Sequence, residues 1–193
     1  MNASSLPARR KVLPDGVLGM VVFVFTEIML FAGLITAHTI VRTGAAAGAM
    51  WPPYGQPPLP WQETALNTSA LLASGIALLM AQLEWKSRGR DRMVSMLVAG
   101  AAVLGALFVV MQGREWTALI AEGLTMTSST YGALFYLIVG VHGLHAVAAI
   151  LALSWGWYRT HKEKLSRNQL ASIAVFWYFV VLVWPIIYWR VYF

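Results

Sequence analysis

Five long apolar segments constrain this sequence most, because each can cross the hydrocarbon of a bilayer as an α-helix. Such a helix needs about 20 residues to span about 30 Å. The segments lack the alternation of polar and apolar residues that membrane barrel strands show. We therefore predict an all-α fold, a membrane bundle of five helices in one domain (residues 16–193) after a polar tail (residues 1–15). The predicted spans are residues 16–41, 64–83, 93–111, 131–158 and 170–189.

The composition agrees with a membrane bundle and excludes several classes of site. Only 11% of the 193 residues are charged and 59% are hydrophobic, whereas soluble domains carry about 25% charged residues. Cysteine is absent, which excludes disulfides and thiolate metal sites. The net charge of +6 is interpreted as membrane topology, with no nucleic-acid partner. The first apolar segment is too long for the core of a signal peptide, so no cleaved leader is expected.

The positive charges predict the orientation of the helices. Eleven of the fourteen Lys and Arg residues lie in the N-terminal tail, the second loop and the fourth loop, which alternate onto one side of a five-helix chain. The opposite side has Arg42, Arg114 and Arg190. Since cytoplasmic loops carry the excess of Lys and Arg, the N-terminus is predicted to be cytoplasmic and the C-terminus outside.

Three ionisable residues lie near the middle of the predicted spans. Glu27 is eleven residues into the first span, and His142 and His145 share one face of the fourth because they are three residues apart. An ionisable residue at this depth costs free energy and indicates a function. The two spans bring these residues to similar depths, so we predict a buried polar cluster with a Glu–His hydrogen bond between the first and fourth helices.

The residue types leave several roles open for this cluster. A proton carrier and a polar anchor between helices both fit. A zinc or iron site needs three or four ligands, and His38 is about three helical turns from Glu27, too far to contribute. A haem held by two histidines would need a second helix with a histidine at this depth, which the sequence lacks. Small residues around His142 and His145 favour close packing and hydrogen bonding between helices, so no metal ligand and no catalytic residue is assigned.

The loops contain two further signals. Residues 51–61, WPPYGQPPLPW, contain five prolines and predict a stiff, non-helical connector. The third loop is predicted to hold a short interfacial helix, followed by residues 128–130, whose hydroxyl groups offer an N-cap for the fourth helix. Asn67, in the first turns of the second span, is expected to hydrogen-bond to a neighbouring helix.

Two arginines are candidate ligands for phospholipid headgroups. Arg92 and Arg159 lie at the predicted inner surface of the membrane, where basic side chains attract anionic lipids. The alternative interpretation is that they are solvated surface charges that only define the topology.

Together these segments resemble subunit III of the cytochrome c oxidases, which are haem-copper terminal oxidases. Many members of the family have seven spans, and this sequence is similar to a five-span form that lacks the first two. It has Tyr178 and Val181 where the closing helix of many members has a histidine and an aspartate. The resemblance rests on an ordered set of motifs: FVFTEIMLFAG, WPP, LNTSALLASG, RGRDRM, MQGREW, STYG, GVHGLHAVAAIL and FWYFVVLVWPIIYWRVYF.

The resemblance implies a non-catalytic subunit in a bacterial cytoplasmic membrane. Such a subunit carries no haem or copper, which are expected in its partners, packs on subunit I in a complex with subunit II, and binds membrane phospholipids. It also helps to sustain proton uptake and enzyme lifetime. Glu27 corresponds to the family's buried carboxylate, and His142 and His145 correspond to its HGLH pair. Arg159 corresponds to a phospholipid-contacting arginine.

Three other functions are weighed against an oxidase subunit. An accessory subunit of a nitric oxide reductase can have a similar sequence. The sequence alone separates such a subunit poorly from an oxidase subunit. A stand-alone proton or solute transporter is disfavoured, because there is one buried acid and no repeat. A membrane enzyme that uses Glu27 and His145 as acid and base lacks an obvious nucleophile or cofactor motif.

Overall fold

The computed structural model describes residues 14–46 and 51–193, without the side chains of residues 45 and 46. Five helices in this part of the chain are long and apolar enough to cross a membrane, and no strand occurs within it. The predicted all-α bundle of five membrane-spanning helices is therefore confirmed. The helices are α1 (Asp15–Ala46), α2 (Trp61–Arg88), α3 (Arg92–Ala121), α4 (Thr130–His161) and α5 (Arg167–Tyr192).

The third helix is longer than its apolar segment. It continues to Ala121 without a break, so the prediction of a separate interfacial helix in the third loop was wrong. The physical reason is the buried face of α3, which continues through Gln112, Glu115 and Leu119 at helical spacing. These polar residues end the apolar run in the sequence but do not end the helix.

Serine side chains cap the first turns of two of the helices, α4 and α5. The Ser129 hydroxyl accepts a hydrogen bond from the backbone N–H of Gly132 at 3.0 Å, which confirms the predicted N-cap of α4. Ser166 and Gln169 form a reciprocal capping box at the start of α5, with hydrogen bonds of 3.2 and 3.0 Å. These caps satisfy backbone donors that have no partner in the first turn of a helix.

The fifth helix lies at the centre of the bundle and the first lies at its edge. α5 contacts α1, α2 and α4, whereas α1 packs mainly on α5 and touches α4 at fewer positions. In the most apolar part of each helix, 61% of the residues of α5 are buried but only 6% of those of α1. Most of the apolar surface of α1 is therefore left for lipid or for another protein.

The two basic turns meet at one end of the bundle. Arg90, in the α2–α3 turn, donates to the carbonyl of Leu165 at 3.2 Å, and Arg167 donates to the carbonyl of Trp85 at 3.1 Å. At the other end, Tyr188 donates to the carbonyl of Trp61 at 2.7 Å. The basic residues of the second and fourth loops therefore lie at the same end of the helix bundle, as the positive-inside rule requires. The cytoplasmic location of that end stays a prediction.

The connector before α2 packs on the outside of the helices. It is not helical over residues 51–60, as predicted. The Trp51 ring contacts the His38 and Tyr131 rings, with centroids 5.6 and 5.2 Å apart. The connector therefore ties α1 to the start of α4. The polar N-terminal tail, with Arg9, Arg10 and Lys11, lies outside the described residues.

Candidate functional site

A carboxylate–imidazole pair joins α1 to α4. Glu27 Oε2 lies 3.0 Å from His145 Nε2, and His145 Nδ1 lies 2.7 Å from the carbonyl oxygen of Val141. A carbonyl only accepts hydrogen bonds, so Nδ1 carries a hydrogen. The contact between Nε2 and Oε2 then contains one proton, on the carboxyl group or on the imidazole. The pair is therefore a proton-holding link between two helices.

Aromatic rings surround this pair on the side of the bundle. The rings of Phe31, Phe176 and Phe179 contact the His145 ring, with centroids 5.5, 6.2 and 6.0 Å away. The side chains of His145 and Glu27 are 12% and 16% exposed. The hydrogen bond is thus shielded by apolar groups but lies close to the surface of the bundle.

The second histidine of the motif has a different environment. His142 is fully buried and stacks on the Trp184 ring, with centroids 4.8 Å apart and planes inclined by 30°. The rings of Phe31 and Phe108 meet its edges at 6.2 Å. Neither nitrogen of His142 has a hydrogen-bond partner within the described residues. The structure therefore joins Glu27 to His145 and leaves His142 outside that hydrogen bond.

The described residues show no metal-binding group around these side chains. No three His, Cys, Asp or Glu residues come together there in a way that could hold a metal ion. What the arrangement offers chemically is a shared proton and polar contacts between helices. His38, which the sequence placed too far from Glu27 to join it, packs beside Trp51.

A second buried polar cluster, around Glu115, was not predicted. Glu115 Oε2 lies 2.8 Å from Thr64 Oγ1 and accepts from Gln112 Nε2 at 2.8 Å. The amide nitrogen of Asn67 donates to the carbonyl of Phe108 at 3.2 Å, so the predicted hydrogen bond to a neighbouring helix is made to α3. The sequence signal for the cluster was the spacing of Gln112 and Glu115 on the buried face of α3. It was hidden because this stretch was interpreted as a loop.

The two candidate lipid ligands lie at the basic end, where Arg159 is half-buried and Arg92 is exposed. Arg159 donates to the carbonyl of Lys164 at 2.9 Å, and its guanidinium lies 5.0 Å from the centre of the Trp155 ring. Arg92 is exposed as the first residue of α3. Each guanidinium keeps donors for a phosphate group, and a role in lipid binding stays a prediction for both.

Two residues of α5, Tyr178 and Val181, contact α2. Tyr178 donates to Gln82 Oε1 at 2.6 Å. Val181 packs against Gly75, where a Cβ would lie 3.0 Å from the valine Cγ1. Tyr178 and Val181 therefore connect α5 to α2 by a neutral hydrogen bond and an apolar contact.

Replacing Thr68 by valine should destabilise the bundle. The indole N–H of Trp184 donates to Thr68 Oγ1 at 2.8 Å, and Trp184 is fully buried. Valine keeps the shape but leaves this N–H without an acceptor, at a cost of about 1–3 kcal/mol. Thermal unfolding of the purified chain should show a lower midpoint for Thr68→Val. Thr68→Ser, which keeps the hydroxyl, is the control, and equal midpoints for the two variants would contradict the prediction.

Comparison with known proteins agrees with the resemblance seen in the motifs. The family described as cytochrome c oxidase subunit III matches the sequence over residues 8–193. The chain is 31% identical over 180 residues to cytochrome c oxidase subunit 3 of Pelea capreolus, Antilope cervicapra and Gazella cuvieri. Each alignment covers 90% of this chain and 67% of the relative. The chain belongs to the cytochrome c oxidase subunit III family, whose members are subunits of haem-copper oxidases.

Proposed function

We propose that this chain is a non-catalytic subunit of an oxygen-reducing, proton-translocating terminal oxidase in a bacterial cytoplasmic membrane. It packs on catalytic subunit I, and the haem and copper belong to the partner subunits. Family membership supports its place in a haem-copper oxidase. The observation that carries its own role is the hydrogen bond between Glu27 and His145, which links helices and contains a proton.

The exposed surface of α1 supports the docking of another membrane subunit. Val22, Phe25 and Met29 are 58%, 62% and 62% exposed, although they lie in the apolar part of the helix. α1 has few contacts with α4, and the Glu27–His145 hydrogen bond is one of them. The pair therefore holds α1 in the position from which its apolar face meets subunit I.

A groove between α1 and α5 supports phospholipid binding. It has a volume of about 540 Å³ and is lined on one side by Val24, Ile28 and Ile35 and on the other by Phe179 and Leu182. These walls suit an acyl chain, because they offer apolar contacts along the length of two helices. Arg92 and Arg159 at the basic end would serve headgroup phosphates, whose negative charge they attract.

Replacing Glu27 by glutamine tests the role of the shared proton. The amide of glutamine can still hydrogen-bond to His145, so assembly and initial oxygen reduction should be retained. The amide cannot exchange a proton as a carboxyl group does, so activity should be lost faster during continued turnover. Oxygen uptake by the purified complex over successive turnovers measures this. Glu122→Gln, at an exposed glutamate beyond α3, is the control. Immediate loss of oxygen reduction in a normally assembled Glu27→Gln complex would contradict an anchoring role.

The assignment itself is tested by purifying the chain from its native membrane in mild detergent. We expect haem in the optical spectrum, a large catalytic subunit in the mass spectrum and oxygen uptake by the preparation. Reduction of nitric oxide without oxygen uptake would assign the complex to the reductases instead. A colourless, solitary chain that gives proton or solute flux in vesicles would overturn the proposal in favour of a transporter.

A further inference from the structure

A pocket of about 260 Å³ lies between the last turns of α2 and the first turn of α5. Gln82, Trp85 and Lys86 line it from α2, and Arg167 and Leu170 line it from α5. It lies at the end of the bundle where the two basic turns meet. An engineered cavity of about 150 Å³ is enough to bind benzene, so this pocket has room for a polyatomic ion or a small headgroup.

Two positive charges line this pocket without a negative one. No Asp or Glu is among its lining residues, and within the described residues neither Lys86 nor Arg167 forms an ion pair. Glu84, the acidic residue nearest to Lys86 along α2, lies 3.2 Å from Arg88. Like charges in one pocket repel each other, and water screens them less as they become enclosed. An anion between them would remove that repulsion.

Two neutral donors in the same lining also lack an acceptor. Trp85 is only 7% exposed, and its indole N–H makes no hydrogen bond within the described residues. Unlike the indole nitrogens of Trp116 and Trp177, the Trp85 nitrogen is not sealed from solvent, so it opens onto the pocket that this residue lines. Gln82 Oε1 accepts from the Tyr178 hydroxyl at 2.6 Å, which leaves both amide hydrogens of Gln82 for another partner.

The set of donors selects the class of ligand. The carbonyl of Trp85 already accepts from Arg167 and from the backbone N–H of Gly89, each at 3.1 Å, so its two lone pairs are occupied. The pocket therefore offers a guanidinium, an ammonium group, an indole N–H and an amide, all of which donate. Such a set favours an anion. A carboxylate has two oxygens, whereas a terminal phosphate group has three strong acceptors and more negative charge, so phosphate uses more of the donors.

We propose that the α2–α5 pocket binds a phosphate group. The Arg167 guanidinium and the Lys86 ammonium group neutralise its charge, and Trp85 Nε1 and Gln82 Nε2 donate to its oxygens. The N-terminus of α5 adds the positive end of a helix dipole. Two sources carry this chemistry: the headgroup of a phospholipid in the adjoining leaflet and a free phosphate compound in solution. This inference goes beyond the role in an oxidase and is tested on this chain alone, so it succeeds or fails independently of that role.

The test has one arm for each source and uses the full chain in a maltoside detergent, which contains no phosphate. In the first arm, equilibrium dialysis measures the binding of radiolabelled inorganic phosphate. In the second arm, native mass spectrometry measures how much phosphatidic acid, or diacylglycerol with the same acyl chains, stays with the protein. These two lipids differ only in the phosphate group.

We expect one saturable equivalent of inorganic phosphate or of phosphatidic acid, and no retention of diacylglycerol at the same concentration. Retention of phosphatidic acid without binding of inorganic phosphate assigns the site to a lipid. The reverse result assigns it to a soluble compound. Binding in neither arm, or equal retention of the two lipids without binding of inorganic phosphate, would overturn the proposal.

Three variants change one feature of the pocket each. Lys86→Gln removes a charge, and Trp85→Phe keeps an aromatic ring but removes the N–H, so each should raise the half-saturating concentration about tenfold. Gln82→Glu keeps an oxygen for the Tyr178 hydroxyl but adds a negative charge, so it should abolish binding. Helix content by circular dichroism shows which variants have folded.

Matched controls make the same changes outside the pocket. Lys164→Gln removes a charge from an exposed residue of the fourth loop, at the same end of the bundle. Trp157→Phe changes an exposed tryptophan of α4. Neither residue lines the pocket, so both variants should bind as the unchanged chain does.

The remaining contrary results are as decisive. Equal weakening by Lys86→Gln and Lys164→Gln would mean that the anion responds only to the overall charge of this end. Full affinity in folded Gln82→Glu or Trp85→Phe would mean that the phosphate does not enter the pocket. Loss of phosphatidic acid from Arg159→Gln, with full retention by Lys86→Gln, would place the lipid at the arginine of α4 instead. If Trp85→Phe fails to fold, the other two pocket variants still decide the question.

Discussion

Gly105→Ala should destabilise the bundle by about 1–3 kcal/mol, the usual range for overpacking a filled core. A Cβ at this position would lie 2.5 and 2.8 Å from Cη2 and Cζ2 of Trp177 and 3.3 Å from Cγ1 of Ile150. The Trp177 ring is fully buried, so it cannot move aside without displacing its neighbours. Gly105→Leu adds three further carbons at the same place and should prevent folding. Thermal unfolding of the purified chain measures the first effect, and the yield of folded protein measures the second.

Gly100 provides the matched control on the same helix. A Cβ at Gly100 meets nothing within 4 Å, and alanine is a better helix former than glycine, so Gly100→Ala should be neutral or slightly stabilising. Adding Trp177→Phe to Gly105→Ala should restore part of the lost stability, because the smaller ring makes room for the methyl group. Equal unfolding temperatures for Gly105→Ala and Gly100→Ala would mean that the Trp177 ring does not pack directly against Gly105.

The five helices could be predicted from the sequence because hydropathy reports where a chain crosses hydrocarbon. Hydropathy does not report where a helix ends in the interface. α3 extends ten residues beyond its predicted span, from Met111 to Ala121, because Gln112 and Glu115 find polar partners inside the bundle. Their burial depends on Thr64 and Asn67 of another helix, which a pattern within one segment does not reveal.

The position of residues along each helix predicted part of the candidate site. The depth of Glu27 and of the histidine pair in their spans predicted that they would meet, because depth follows from position along each helix. Residues three apart are separated by about 60° around a helix axis. That angle sends His142 towards Trp184 and leaves His145 facing α1. Only the packing of all five helices decides which histidine takes which direction.

His145→Leu should weaken the attachment of this subunit to its complex more than Glu27→Gln does. Leucine removes the imidazole that hydrogen-bonds to Glu27. The Glu27 carboxyl group then lacks this partner while it lies among apolar side chains. Breaking a fully buried pair costs about 3–5 kcal/mol. These side chains keep 12% and 16% exposure, so we expect a smaller loss of about 1–3 kcal/mol. The fraction of the chain that remains with the complex at increasing detergent concentration measures the effect.

The double variant separates a lost hydrogen bond from an unpaired carboxyl group. Glu27→Leu combined with His145→Leu replaces both partners by apolar groups, which is often nearly neutral, so it should retain more subunit than His145→Leu alone. His161→Leu, at an exposed histidine that ends α4, is the control and should not change retention. Normal retention of His145→Leu at high detergent would mean that α1 is held by its contacts with α5, and that the Glu27–His145 pair does not anchor it.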